Sequence, residues 1–265
     1  ASPHGTDING RTAVASPTIN YIVVPYRPAG GAWSSAHDFI KYAWNEVTPG
    51  VLPNGKRWMS AANVLRRRAH SVPLGENSWY GMGLMEDRTY GVQVVHHGGD
   101  LIGFHSDFMA VPSAGVAAVI LTNSDAGVAL REPFARRILE VLYDGKPEAA
   151  ADVASAATNM KAANAKQRQL LTVPVAADVA AQLASHYEND ELGHIDVRKD
   201  AQGVIFDFGL WQTHVASQKN ADGTISLVTI DPGIPGVPFV VQNENGKRQL
   251  VTRDGQHTYV YNATS

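Results

Sequence analysis

From Ser185 to the C-terminus the chain carries eight short alternating or apolar runs: HYEND, HIDVRK, VIFDFG, HVASQK, ISLVTI, PFVVQN, RQLVTR and HTYVYN. Turn residues at Asp200–Gly203, Asn220–Gly223, Asp231–Gly236 and Asn245-Gly246 separate most of them. Side chains on a strand alternate between faces, so each run offers one apolar face that it cannot bury alone. Eight such strands at regular spacing predict a small antiparallel barrel or sandwich. An eight-stranded barrel has an interior just wide enough for side chains or one small ligand.

Upstream the composition shifts. KPEAAADVASAATNMKAANAKQRQLL is alanine-rich, and alanine costs least in a helix, so residues 147–182 read as a helical linker. That divides the chain into a first domain over 1–146, the linker, and an all-β domain over 183–265. Within the first domain, residues 1–31 are punctuated by proline and glycine and read as an extended lead-in, with Ile19–Val24 as a short strand. SSAHDFIKYAWNEV predicts a helix capped by Ser35 and Asp38. SAANVLRRRA predicts a short helix whose Arg66, Arg67 and Arg68 read as a phosphate patch or, as such runs usually are, a solvated face. Tyr80–Arg88, Val92–His96, Phe104–Val111 and Val116–Thr122 predict an antiparallel meander, and the segment around Pro133 predicts a helix that covers it.

With 265 residues, 44% hydrophobic and 18% charged, the chain has enough apolar material for a sizeable core. A formal charge of −3 leaves no basic field for nucleic acid or an anionic membrane. No apolar run reaches the roughly 18 residues of a bilayer span. Cysteine is absent, which removes thiolate metal sites and cysteine nucleophiles and suits a periplasmic or secreted protein. The chain opens ASPHG without an initiator methionine, as expected of a piece processed from something longer.

Chemistry concentrates in VVHHGGDLIGFHSDF (Val94–Phe108). Three readings fit it. His96, His97 and His105, with Asp100 and Asp107, are metal-ligand residue types. Neighbouring strand residues diverge, however, and no HExxH-like spacing is present. Gly98-Gly99 alone would also serve as a turn between strands. The third reading is an active-site strand.

The surrounding stretches favour the third. PAGGAWSSAHDFIKY (Pro28–Tyr42), YGMGLM (Tyr80–Met85), the His-Gly-Gly strand and VPSAGVAAVILTNSD (Val111–Asp125) follow one another in an order that resembles the serine β-lactamase-like family. That family includes class C β-lactamases, D-amino-acid peptidases and related esterases. The resemblance covers roughly residues 20–145. It implies the C-terminal part of an α/β sandwich, an antiparallel sheet with covering helices. It also implies that His97, Gly98 and Gly99 take the place of the family's lysine-threonine-glycine strand. The Asp100 N–H would then be one oxyanion donor, and Gly103 and Phe104 would border the substrate. His97 and Gly98 supply a weaker cation and no hydroxyl for a substrate carboxylate, which points to a peptidase or esterase. The tail, through HYENDELGHIDV (His186–Val197), resembles a lipocalin-like C-terminal domain. The fold class expected is therefore α+β, a partial β-lactamase-like sandwich followed by a small eight-stranded barrel.

Two family motifs are missing. No serine is followed by lysine three residues on, and the single Tyr-x-Asn, at Tyr187-Glu188-Asn189, lies in the all-β tail, where Tyr187 is expected to pack the barrel. The resemblance thus implies a partner: an N-terminal portion of the same precursor carrying Ser-x-x-Lys and Tyr-x-Asn, acting on a small peptide, amide or ester. No cofactor or metal is expected. The competing function is a non-catalytic binding or assembly protein that works through its barrel.

Overall fold

In the computed structural model, which describes residues 1–264, the chain divides into two units. One spans residues 26–156, and the other joins residues 1–25 to the chain from residue 157 onward. The lead-in therefore groups with the tail and not with the first domain. Strands β1 (His4–Thr6) and β2 (Thr12–Val14) form a hairpin. Ile8, at its tip, is buried with Leu171, Ala216, Val228 and Ile230, and its N–H donates to the Ile230 carbonyl at 3.1 Å. Thr18 Oγ1 donates to the Leu210 carbonyl at 2.9 Å. Ile19–Val24 is not a strand. It lies in a 3-10 helix, Pro17–Tyr26, that pairs with no strand among the described residues.

In the unit of residues 26–156, α1 (Ala36–Trp44) and α2 (Ala61–Arg67) begin at serine caps. Ser35 Oγ accepts from Asp38 N, and Ser60 Oγ accepts from Asn63 N, which satisfies helix-end donors that would otherwise lack partners. The arginine run is not a solvated face. Glu46 is fully buried, and Arg68 Nε donates to its Oε2 at 2.7 Å while Arg67 Nη1 lies 3.4 Å from Oε1. A buried carboxylate needs such partners, so two of the three arginines turn inward.

Six strands follow: β3 (Val72–Pro73), β4 (Ser78–Tyr80), β5 (Met85–Asp87), β6 (Val94–Leu101), β7 (Phe104–Val111) and β8 (Val116–Thr122). They pair antiparallel in chain order. The expected run Tyr80–Arg88 is two strands, because the chain turns where the Gly81 N–H donates to the Leu84 carbonyl. Both faces of the sheet are covered. Val95, Phe108 and Ala110 pack with Ala43 of α1 on one face. Val94, Met109 and Val111 pack with Leu139 of α3 (Arg131–Leu142) on the other.

Helix α4 (Ala149–Gln169) is the alanine-rich segment, with Ala149 its one buried residue. The remainder of the expected linker folds as β9 (Leu171–Thr172) and α5 (Ala177–Gln182). Then come β10 (His186–Asn189), β11 (Gly193–Lys199), β12 (Val204–Asp207), β13 (Gln212–Lys219), β14 (Ile225–Thr229), β15 (Pro238–Glu244), β16 (Lys247–Arg253) and β17 (Thr258–Ala263). Each pairs antiparallel with the next, and β17 pairs back onto β10, so the eight strands close into an up-and-down barrel. Closure removes the free edges that an open sheet of this size would carry. One cluster fills the interior, with a buried residue from every strand: Tyr187, Ile195, Phe206, Val215, Leu227, Phe239, Leu250 and Tyr261. The chain is therefore α+β, a helix-covered antiparallel sheet followed by a closed eight-stranded barrel.

Candidate active site

Strand β6 does not end at His97-Gly98-Gly99. It runs on to Leu101, and the turn comes at Ile102-Gly103. Gly103 has φ +72°, a conformation that penalises any residue with a Cβ, so the tight turn falls there and leaves Gly98-Gly99 extended. On one side β6 pairs with β7 over its full length down to the turn. On the other side β5 pairs only with Val94, Val95 and His96. From His97 to Leu101 this second edge of β6 has no strand beside it among the described residues.

The direction of the backbone groups follows from ladder geometry. A two-residue turn closes on a hydrogen-bonded pair, here Leu101 and Phe104. Hydrogen-bonded pairs recur every second residue, so Leu101, Gly99 and His97 address β7. The N–H and C=O of Gly98 and Asp100 therefore address the open edge.

The four residues singled out on this strand divide between two faces. His97 and Gly99 lie on the α1 side with Val95, whereas Gly98 and Asp100 lie on the α3 side with Val94. They share the edge rather than a side-chain cluster. His97 Nδ1 donates to the Gly98 carbonyl at 2.6 Å, since a carbonyl can only accept. Nε2 meets the Tyr80 hydroxyl at 3.0 Å. The imidazole is thus held in one orientation from both ring nitrogens. A Cβ on Gly99 would lie 2.8 Å from Ser106 Oγ, and one on Gly98 would lie 2.5 Å from Arg131 Nη1. Both positions are packed closely by these side chains, which would have to shift to admit a larger residue.

Gly103 and Phe104 sit at the turn. The Gly103 N–H donates to Asp125 Oδ1 at 2.7 Å and is already used within the fold. Phe104 meets Trp33 edge to face at 5.3 Å between ring centres, and Trp33 is 72% exposed. On the α3 side Asp100 is bracketed. His105 Nδ1 donates to its Oδ1 at 2.6 Å, and Arg131 Nη1 lies 3.1 Å from its Oδ2. His105 Nε2 is buried without a hydrogen-bond partner and faces Asp125 at 3.8 Å. Asp107 Oδ1 is likewise buried without a partner. Burial raises the Asp107 carboxyl to about 6, against the opposing pull of Arg131. Burial also raises Asp125, offset in part by the Gly103 N–H and His105. Among the described residues, no group of three His, Asp or Glu side chains is arranged to hold a metal ion.

Tyr80, Trp33, Asp125 and Arg131 are additions to the residues that the strand pattern picks out. Tyr80 and Trp33 stand in the quoted YGMGLM and PAGGAWSSAHDFIKY stretches, and Asp125 closes LTNSD. Arg131 carries no local signal.

The family model described as Beta-lactamase matches residues 2–143, more than half of the 265-residue chain. The chain belongs to the beta-lactamase family. Three solved structures are similar to this beta-lactamase family chain. One is the octameric penicillin-binding protein homologue from Pyrococcus abyssi, at 15% identity and TM-score 0.45, with 98% of this chain and 53% of that one covered. The others are SurE with D-Leu, at 20% identity, TM-score 0.32 and coverages of 87% and 50%, and SurE, at 18% identity, TM-score 0.36 and coverages of 98% and 55%. The chain thus spans about half the length of these structures. No curated protein matches it.

Proposed function

We propose that this chain is the C-terminal portion of a serine hydrolase that cleaves a peptide, amide or ester bond through an acyl-enzyme. One observation carries the reading: the open edge of β6 at Gly98 and Asp100, lined by glycine and adjoining an oriented histidine. In acyl transfer, a serine oxygen bonds to the substrate carbonyl carbon and its proton passes to a base. The carbonyl oxygen carries the charge until the amine or alcohol leaves with that proton. Water then repeats the sequence on the ester and frees the serine. Backbone N–H groups aimed at the oxygen lower both barriers. The Asp100 N–H serves as one such donor, while its C=O and the Gly98 N–H hold the substrate backbone as a strand partner would.

The nucleophile, base and second oxyanion donor come from an N-terminal portion carrying Ser-x-x-Lys and Tyr-x-Asn. The sheet offers a place for it. β8 is the outermost strand, seven residues of VAAVILT without a charge, and natural edges are seldom left so apolar and unguarded. We place the enzyme in the periplasm or outside the cell. Its preference is for peptides or esters, because His97 and Gly98 offer a substrate carboxylate a weaker cation than lysine and no hydroxyl.

The test is intact mass of the native preparation before and after a fluorophosphonate probe. A co-purifying N-terminal chain that takes the label is the expected result. A single unlabelled species of 28.5 kDa would overturn the reading. Nitrocefin turnover at the rate of an efficient β-lactamase would overturn the substrate preference alone.

A further inference from the structure

The Asp100 side chain poses a problem for the N–H of the same residue. A carboxylate beside a developing oxyanion opposes it, and with 53% of the Asp100 side chain exposed water screens only part of that repulsion. The fold surrounds that carboxylate with two donors. Arg131, the first residue of α3, reaches across the sheet through the space that a Gly98 side chain would fill and meets Asp100 Oδ2 at 3.1 Å. His105, opposite on β7 and with 10% of its side chain exposed, holds Oδ1 at 2.6 Å. Asp125 stands behind His105 and also ties the Gly103 N–H at the turn. Arg131 and His105 therefore hold Asp100 from the face opposite His97, while Asp125 bonds the Gly103 N–H at the turn.

We propose that Arg131 is a positioning residue for the acyl-transfer strand. It neutralises and anchors the Asp100 carboxylate, so the Asp100 N–H meets the oxyanion with less competing charge, and the absence of a side chain at Gly98 leaves the guanidinium room to reach it. The proposal rests on the serine hydrolase reading. Arg131 touches neither substrate nor the reacting atoms and acts only through Asp100.

The experiment uses the protein together with its N-terminal portion and follows p-nitrophenyl butyrate hydrolysis. R131M should lower kcat about 10- to 100-fold, less than the loss of a direct oxyanion donor, with KM changed less than about threefold. The decisive variant is D100N/R131M. Removing the charge that needs neutralising should bring kcat back to within about threefold of D100N alone, a recovery that a merely structural role would not give. R131K, which keeps the charge, should lie between wild type and R131M. If R131M does not fold, R131Q with and without D100N reads the same quantity. Unchanged kcat in a folded R131M or R131Q, or no recovery with D100N, overturns the inference and leaves the hydrolase reading standing. A wild-type protein that neither takes a fluorophosphonate nor turns over overturns both.

Discussion

Asp107 shows how a single position can work against stability. It lies on β7 opposite Gly98, with Oδ1 buried and unpartnered, and burial lifts its carboxyl from 3.8 to about 6. The folded state therefore holds a proton that the unfolded chain has released between about pH 4 and pH 6. Stability falls as pH rises through that window, and at pH 7 the ionised group costs up to about 3 kcal/mol. D107N should be more stable than wild type at pH 7 and indistinguishable from it near pH 3.5. Urea unfolding at the two pH values checks this, and equal midpoints at pH 7 would refute it. Glu46 is the opposite case, a fully buried carboxylate already satisfied by Arg67 and Arg68. E46A leaves two guanidinium groups facing a vacated site and should lose about 3–5 kcal/mol in the same assay. Neither role was legible in the sequence. A run of three arginines reads as solvent-facing because most such runs are, and the pairing depends on Glu46 being folded inward twenty residues earlier.

At the scale of elements, the sequence was most informative where side-chain period and turn residues agreed. All eight tail strands stand where alternating runs lie between Asp, Asn and Gly turns, because in a closed barrel each strand keeps one face in and one face out. Legibility failed where glycine sits inside a strand. Gly98 and Gly99 look like a turn by composition, yet β6 passes through them, held by β7 on one side and cleared for Arg131 and Ser106 on the two faces. The histidine-glycine motif itself was readable. Its open edge was not, since that depends on β5 stopping at His96. The edges make a prediction at this scale. In the isolated chain, alternate amides of β8 and those of Gly98 and Asp100 have no sheet partner, so they should exchange with deuterium rapidly. With the N-terminal portion present, the β8 amides should become protected while Gly98 and Asp100 stay exchangeable until a substrate analogue binds. Protection of β8 in the isolated chain would mean that the edge is already covered, for instance by a second copy.

For the molecule as a whole, two units with separate apolar clusters imply two unfolding events. The first 25 residues belong to the event of the barrel unit, because Ile8 packs with Leu171, Ala216, Val228 and Ile230. Local sequence could not assign them, as those partners lie more than 150 residues away. The barrel unit also carries a pH-sensitive clasp. His214 on β13 bonds Asp231 through Nδ1 at 2.8 Å and Asp200 through Nε2 at 3.1 Å. Burial pulls its pKa down, but the two carboxylates together outweigh this and hold it above 6.5. A group whose folded pKa is raised adds stability that is fully present below its unfolded pKa and is lost as pH rises through the folded one. His186, bonded to Asp196 and Glu188, shifts in the same direction at the surface of the same barrel. Calorimetry should therefore resolve two transitions, with the barrel transition at higher temperature at pH 6 than at pH 8.5. H214N should lower it at pH 6, leave it nearly unchanged at pH 8.5 and leave the other transition where it was. A pH response that survives H214N undiminished would place the effect in His186 or elsewhere. A single transition shifted as one would mean that the two units unfold together, so that a change at the barrel would be felt by the strand that carries His97.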